Sequence, residues 1–390
     1  MKNIAILGST GSIGTSTLDI CQRYPERYRV VSLAAGRNLD AALQQCLQWR
    51  PQVVSMANEF LAGSLEEKLR EHAVSGVEVV HGTAGTVRVA TLPEVDFVVS
   101  AIVGVAGLEA TYAAVCAGKS IGLANKEAMV AAGELITAAA RKNNVALLPI
   151  DSEHNAIHQA MRAGTQAEVK QIWLTASGGP FRNTPLKDFA SITPAQALKH
   201  PTWVMGQRIT IDSATMLNKG LEIIEACRLF DLPADKVKVT VHPQSTIHSL
   251  VEYVDGSILA QLSVTDMRLP ILYAMAYPER VPSELTFDMT ALSQLDFQQP
   301  DFERFPCLRL SYEAAKASPA HCIALNAADE IAVEAFLAGN LPFMGIPRTI
   351  ERVLELTASN SPSSIASVLE ADAAARETAK MVASEMLLSR

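Results

Sequence analysis

Asp151-Ser152-Glu153 puts two carboxylates two residues apart, directly after the apolar run Val145–Ile150. On an extended segment residues i and i+2 face the same side, so both acids would converge at a strand's carboxyl end. Open α/β sheets place their ligands there. Adjacent carboxylates repel one another unless a cation lies between them, and a divalent ion with oxygen ligands fits. A helix cap followed by exposed acids is the competing reading. The second grouping is Ser213-Ala214-Thr215-Met216-Leu217-Asn218-Lys219-Gly220-Leu221-Glu222. A helix from about Thr215 would carry Asn218 and Glu222 at i, i+4 and Lys219 and Glu222 at i, i+3, all on one face. Ser213 would lie just before that helix, as a cap or an anion ligand. Such donors beside one acid suit a phosphate pocket next to a metal ligand, or equally an N-cap with a surface Lys–Glu pair.

His200-Pro201-Thr202-Trp203-Val204-Met205-Gly206 places a His, a Trp and a Met in a loop bounded by Pro and Gly. Exposed apolar side chains on a loop are the composition of a lid that closes over substrate; a buried loop anchored by Trp203 is the alternative. His242 and His248 fall in an alternating strand region and read as structural or pairing histidines.

Gly8-Ser9-Thr10-Gly11-Ser12-Ile13-Gly14 follows a strand and opens a helix at Thr15. Glycines let a backbone approach a pyrophosphate, and a helix N-terminus offers free N–H donors. The spacing is G-x-x-G-x-x-G, and a tight strand–helix connection would read the same. Gly36-Arg37-Asn38 ends the second strand with no carboxylate for a ribose 2′-hydroxyl. Arg37 can pair with a 2′-phosphate, which favours NADP over NAD unless it is a solvated surface residue.

The elements that must position these groups fall into two patterns. Asn3–Leu7, Val30–Ala35, Val53–Met56, Val77–Val80, Phe97–Ile102, Ser120–Ala124 and Val145–Ile150 are short apolar runs. Amphipathic stretches such as Leu39–Trp49, Glu59–His72 and Glu127–Asn143 lie between them. That alternation predicts a doubly wound, Rossmann-like parallel sheet over residues 1–150. Val169–Ala176, Val237–Val241, Ile247–Val254 and a hairpin at Asp255-Gly256 predict a central α+β catalytic domain over 151–277, with its lid near 197–207. Prolines 278, 282, 300 and 306 punctuate a linker over 278–306, and Ala- and Glu-rich helical spacing marks a C-terminal helical domain over 307–390.

The 390 residues are 49% hydrophobic and 19% charged, which excludes a disordered chain. With 41 acidic against 33 basic side chains the net charge is −8, an argument against nucleic acid as partner. The longest uncharged apolar stretch, Phe97–Leu108, is too short to span a bilayer. Six cysteines without paired short spacing suit reduced thiols in a cytosol. The residues alone leave three readings: an NADP-dependent dehydrogenase, a metal-dependent sugar-phosphate isomerase or aldolase, or a non-catalytic NADP-sensing module.

Together GSTGSIG (8–14), LANKE (123–127), IDSEH (150–154), ASGGPF (176–181), HPTWVMG (200–206) and DSATMLNKGLE (212–222) resemble the 1-deoxy-D-xylulose 5-phosphate reductoisomerase family. The resemblance runs over essentially the whole chain. It implies NADPH- and divalent-metal-dependent rearrangement and reduction of 1-deoxy-D-xylulose 5-phosphate, a small phosphorylated ketose, to 2-C-methyl-D-erythritol 4-phosphate, in non-mevalonate isoprenoid biosynthesis. Carbon–carbon cleavage and re-addition would give a branched aldehyde that the hydride reduces. It further implies that Asp151, Glu153 and Glu222 hold Mg²⁺ or Mn²⁺. Ser177, Ser213, Asn218 and Lys219 would bind chiefly the phosphate, and Lys126, Ser152 and His200 would also touch substrate. Lys126 would act in catalysis beside the three acids. Thr10, Gly11, Ser12, Ile13, Gly36, Arg37, Asn38, Asn125, Glu127 and Gly206 would line the NADPH site; Arg37 stands where relatives often carry Lys. A homodimer in a bacterial cytoplasm, away from any membrane, completes the expectation.

Overall fold

Short β-branched runs flanked by helical stretches give the first part of the chain its sheet. The computed structural model describes residues 1–203 and 205–388, so Val204 of the expected lid lies outside the described residues. Two compact units are present: Met1–Ala128, Glu134–Asn155 and Asp266–Glu284 in one, and Met129–Gly133, Ala156–Thr265 and Leu285–Arg390 in the other. In the first, β1 (Lys2–Leu7), β2 (Tyr28–Gly36), β3 (Val53–Met56), β4 (Glu78–His81), β5 (Phe97–Ser100), β6 (Ser120–Leu123) and β7 (Leu147–Pro149) pair in the order β4-β3-β2-β1-β5-β6-β7. Every neighbouring pair is parallel. β3 and β5 are buried along their whole length, which is why they read as unbroken apolar runs. Helices α1 (Ser12–Arg23), α2 (Leu39–Trp49), α3 (Glu59–Glu71), α4 (Gly82–Ala90), α5 (Leu108–Cys116) and α6 (Lys126–Asn143) connect them. β1 lies between β2 and β5, so the strand order reverses there and a ligand crevice opens at the carboxyl ends of β1 and β5.

α7 (Ser152–Met161) leads onward into α8 (Pro194–Ala197), α9 (Gln207–Ala214) and α10 (Leu217–Leu229). The second sheet contains β8 (Val169–Ala176), β9 (Val237–Val241), β10 (Ile247–Tyr253) and β11 (Ile258–Leu262) in the order β11-β10-β8-β9. β10 runs antiparallel to β8 and β11, whereas β8 and β9 are parallel. α11 (Arg268–Ala276) returns to the first unit, where Ile271, Leu272, Ala274 and Met275 are buried in its core. The expected linker is pinned rather than loose at Gln298, whose backbone exchanges hydrogen bonds of 2.9 and 2.8 Å with Val241 at the edge of the sheet.

α12 (Pro306–Ala317), α13 (Pro319–Leu337), α14 (Gly345–Leu356) and α15 (Ile365–Leu388) share one apolar core with the second sheet. Phe181 and Phe189, which follow β8, pack on Phe343 with ring centroids 5.2 and 5.9 Å apart. The segment after β8 is thereby seated on the C-terminal helices. Among the described residues no helix is long and apolar enough to cross a membrane.

Candidate active site

The glycine-rich turn sits where β1 ends. Gly11 is the N-cap of α1 and no side chain caps that helix, so its first-turn N–H groups remain available to a ligand. A Cβ on Gly14 would lie 2.3 Å from the Gly8 carbonyl oxygen, so only glycine lets α1 pack this closely on the turn. Ser9 is wholly buried and exchanges hydrogen bonds with Gln45, while Thr10 Oγ1 donates to the Ala35 carbonyl at 2.9 Å. These contacts fix Thr10–Ile13 against β2 and α2. Gly36 closes β2 and is exposed with Arg37 and Asn38, and the Asn38 side chain caps α2 by accepting from the Ala41 N–H. Asn125 is buried; its amide donates to the Gly104 carbonyl and its carbonyl accepts from the Ala128 N–H, capping α6 beside buried Glu127.

Asp151 and Glu153 are not on an extended segment, as the i, i+2 argument supposed. α7 begins at Ser152, so Glu153 lies in a first helical turn. Asp151 accepts the Asn155 N–H through its carbonyl at 2.8 Å and the Glu153 N–H through Oδ1 at 3.3 Å. An acid just before a helix satisfies orphan N–H donors and complements the helix dipole. The cap reading was therefore right about the backbone and wrong about exposure. The Asp151 side chain is only 10% exposed and forms an ion pair with the equally buried Lys126. Ser152 Oγ donates to Glu153 Oε2 at 2.5 Å. His154, wholly buried, brings Nδ1 to 3.7 Å from Asp151 Oδ1. Its i, i+3 spacing from Asp151 is the signal in the sequence that marks it.

In the second unit the phosphate-type donors come from two helices, not one. Ser213 belongs to the last turn of α9, and Thr215 with left-handed Met216 (φ 60°) separates it from α10. On α10 the expected face forms: Asn218 Nδ2 donates to Glu222 Oε1 at 2.6 Å and Lys219 pairs with Glu222 Oε2. Lys219 and Glu222 are 4% and 1% exposed, which discards the surface-pair reading. The Ser177-Gly178-Gly179 turn closes against α9, since a Cβ on Gly179 would lie 2.6 Å from the Ser213 carbonyl oxygen. The Gly179 N–H is in turn held by Ser177 Oγ at 3.2 Å.

His200 Nε2 lies 3.1 Å from Ser177 Oγ, and the backbone N–H groups of Thr202 and Trp203 point at Nδ1 from 3.2 and 2.9 Å. Nδ1 therefore accepts, and the ring is the neutral Nε2–H tautomer. Burial holds its pKa below the ordinary value, in keeping with that state. Trp203 is half-buried, 6.4 Å between centroids from the His248 ring, so this loop end is seated rather than free. Burial foremost, with the Lys219 ammonium adding, pushes His248 down to about 4. His242 is structural, as read: Nδ1 donates to the Asp296 carbonyl, Nε2 accepts the Thr246 and Ile247 N–H groups, and the ring stacks on Phe297. Gly206 is the N-cap of α9.

A glycine turn at the switch point of an all-parallel sheet, joined to a unit of buried carboxylates and ammonium groups, defines a nucleotide-dependent α/β enzyme. Residues 4–133 match the family described as 1-deoxy-D-xylulose 5-phosphate reductoisomerase. Residues 147–230 and 262–378 match two descriptions of that family's C-terminal domain. The reductoisomerase of Methylococcus capsulatus is 52% identical over 386 residues, covering 97% of this chain and 98% of its own length. That of Solibacter usitatus is 49% identical over 387 residues, with 98% of each covered. A DOX-P reductoisomerase solved with NADPH, fosmidomycin and magnesium superposes with a TM-score of 0.93 at 41% identity, covering 99% of both chains. The Zymomonas mobilis enzyme with NADPH gives 0.91 at 44%, covering 98% of this chain and 99% of its own. The chain belongs to the 1-deoxy-D-xylulose 5-phosphate reductoisomerase family.

Proposed function

We propose that Ser177, Ser213, Asn218 and Lys219 hold the phosphate of 1-deoxy-D-xylulose 5-phosphate. In the same reading Asp151, Glu153 and Glu222 hold a divalent cation, and the Gly8–Gly14 turn with Arg37 holds NADPH. The chain is an NADPH-dependent oxidoreductase that rearranges and reduces that substrate to 2-C-methyl-D-erythritol 4-phosphate, with Mg²⁺ as its metal. The observation that carries the activity is identity of about half over nearly the whole length of relatives of that name. The donor chemistry suits both groups. Carboxylate oxygens match a hard divalent ion, and uncapped helix N–H groups beside a side-chain-free Gly14 suit a pyrophosphate.

When bound, the cation polarises substrate oxygens and NADPH supplies the hydride. The residues do the rest. Lys126 fixes the Asp151 carboxylate in a dry setting. Lys219 and Asn218 orient Glu222 while presenting donors to the phosphate, whose binding energy can be used to align the remote reacting carbons. Neutral His200 offers one N–H to Ser177 Oγ or to a substrate oxygen. Trp203 and Met205 on the lid shield the reacting centre from water.

The test follows NADPH absorbance with 1-deoxy-D-xylulose 5-phosphate, in Mg²⁺ and again in EDTA. Oxidation that stops in EDTA is expected. Oxidation indifferent to EDTA would discard the cation, and none in folded, NADPH-binding protein would discard the reaction.

We assign the assembly as a homodimer formed through β11. This strand is the edge of its sheet and carries Ile258 and Leu259, 53% and 39% exposed. Ile258→Lys should yield monomer in sedimentation; an unchanged dimer would move the interface elsewhere. The relatives are bacterial, and we place the chain in the bacterial cytoplasm. Its recovery in a periplasmic or membrane fraction would overturn that placement.

A further inference from the structure

α9 is eight residues long, yet it joins the lid, which ends at its N-cap Gly206, to Ser213 in its last turn. Whatever fixes α9 therefore fixes both. Its inner face is anchored by buried Ile211 and Ala214. Its first turn is anchored differently, by charge. Arg208 sends Nη1 to Glu330 Oε1 at 2.8 Å, and Nη2 to Asn326 Oδ1 at 3.0 Å and Asp329 Oδ2 at 3.3 Å, all on α13. The other oxygen of Glu330 accepts from Arg376 on α15 at 2.6 Å, and Arg376 is itself held by Asp372 at 2.6 Å. Asp212, one turn beyond Arg208, lies 3.7 Å from Arg208 Nε.

The cluster runs through three helices and contains two guanidiniums against four carboxylates. Asp329 and Asp372 have side chains 0% and 5% exposed, and Arg208 and Glu330 are 19% and 18% exposed. Buried, multiply hydrogen-bonded charge adds little net stability over an apolar replacement, but it fixes geometry, because each partner has one arrangement that satisfies the others. Burial drives Asp329 up to about 6, and Arg208 opposes that shift. The carboxylate's ionisation thus depends on the guanidinium being in place.

We propose that Arg208 is a positioning residue for substrate binding. Anchored on α13 and through Glu330–Arg376 on α15, it sets the angle of α9, and so the placement of Ser213 at one end and of Gly206, where the lid ends, at the other. The C-terminal helices then act on the phosphate pocket without contributing a ligand to it. The inference rests on the assignment of Ser213 to that pocket.

The test compares steady-state constants and NADPH dissociation constants for Arg208→Met, Arg208→Lys, Arg376→Met and Ser213→Ala. Arg352→Met serves as control, its exposed pair with Glu355 lying on α14. Arg208→Met should raise KM for 1-deoxy-D-xylulose 5-phosphate about ten- to a hundredfold with NADPH binding unchanged. Arg208→Lys should recover part of that loss, because one ammonium restores the charge but not the three-way contact. Arg376→Met should raise KM in the same direction by less, and it carries the test if Arg208→Met does not fold. Arg352→Met should do nothing. If Ser213→Ala raises KM while Arg208→Met, or Arg376→Met where Arg208→Met does not fold, keeps it at the parent value, the tether is overturned and the pocket stands. If Ser213→Ala leaves KM unchanged, the pocket assignment falls and the inference falls with it. A lower melting temperature at constant KM would make the cluster merely structural.

Discussion

The glycine turn of the first unit and the α9–α10 segment of the second offer hydrogen-bond donors by opposite means. At the turn the donors belong to the backbone, and the side chains are reduced to nothing at Gly14 so that α1 can lie against Gly8. At α10 the donors are side chains, half-buried Asn218 and buried Lys219, both held by buried Glu222. Backbone recognition depends on shape and tolerates any change that keeps the turn. Side-chain recognition depends on charge in a dry setting, where loss of one partner leaves the other uncompensated. Damage to the first should be steric and confined to NADPH; damage to the second should be electrostatic and reach the chemistry.

The sharpest break is Glu222→Gln. It should lower kcat about a thousandfold or more while NADPH titration by fluorescence stays at the parent value. Appreciable turnover would remove Glu222 from the metal. Lys219→Ala should raise KM for the phosphorylated substrate about a hundredfold, with no change in KM for NADPH; equal effects on both would blur the contrast between the regions. Gly14→Ala works in the other direction. In an ordinary helix it would stabilise, but here the added methyl should weaken NADPH binding some tens of times (~30-fold). An unchanged dissociation constant would show that the turn yields easily.

Arg37→Leu refines the first region. NADPH affinity should drop about tenfold while NADH affinity holds, and parallel losses would deny the 2′-phosphate contact. The smallest effect concerns pH. His248 titrates near 4 in the fold against an ordinary 6.5, so between those values the unfolded chain binds the proton first. Stability should be full above 6.5 and fall by roughly 3 kcal/mol for this ring on acidification through 4. His158, also near 4, shares the window. Thermal melts of His248→Asn should show a flatter slope; the parent slope would acquit this ring.

Legibility in the sequence followed the same division. The parallel sheet was plain because buried strands such as β3 and β5 are apolar throughout, and Leu39–Trp49 and Val53–Met56 fall where periodicity put them. α4 escaped notice: two glycines, two threonines and two valines make a poor helix former that packing overrides. The Asn218–Lys219–Glu222 face was readable because helix spacing alone creates it. Two placements were not. Asp151-Ser152-Glu153 reads equally as a strand's end or a helix cap, and capping chemistry makes it a helix start. Ser213 looked like a lead-in to α10, because the β-branched run Ile209-Thr210-Ile211 hides a separate helix that the core imposes. Burial of the Lys–carboxylate pairs was beyond any local pattern, since it depends on segments far along the chain.

α11 has a consequence for how the molecule is made. Its Ile271, Leu272, Ala274 and Met275 belong to the first unit's core, yet more than a hundred residues of the other unit are synthesised before them. A ribosome delivering the chain from its N-terminus presents the seven-stranded sheet long before that core can close. Chains arrested with residue 265 outside the tunnel should expose this unit to protease, and those with residue 284 outside should protect it. Protection at the earlier length would mean that the sheet closes without α11. The seven-stranded unit is thus encoded first and finished late.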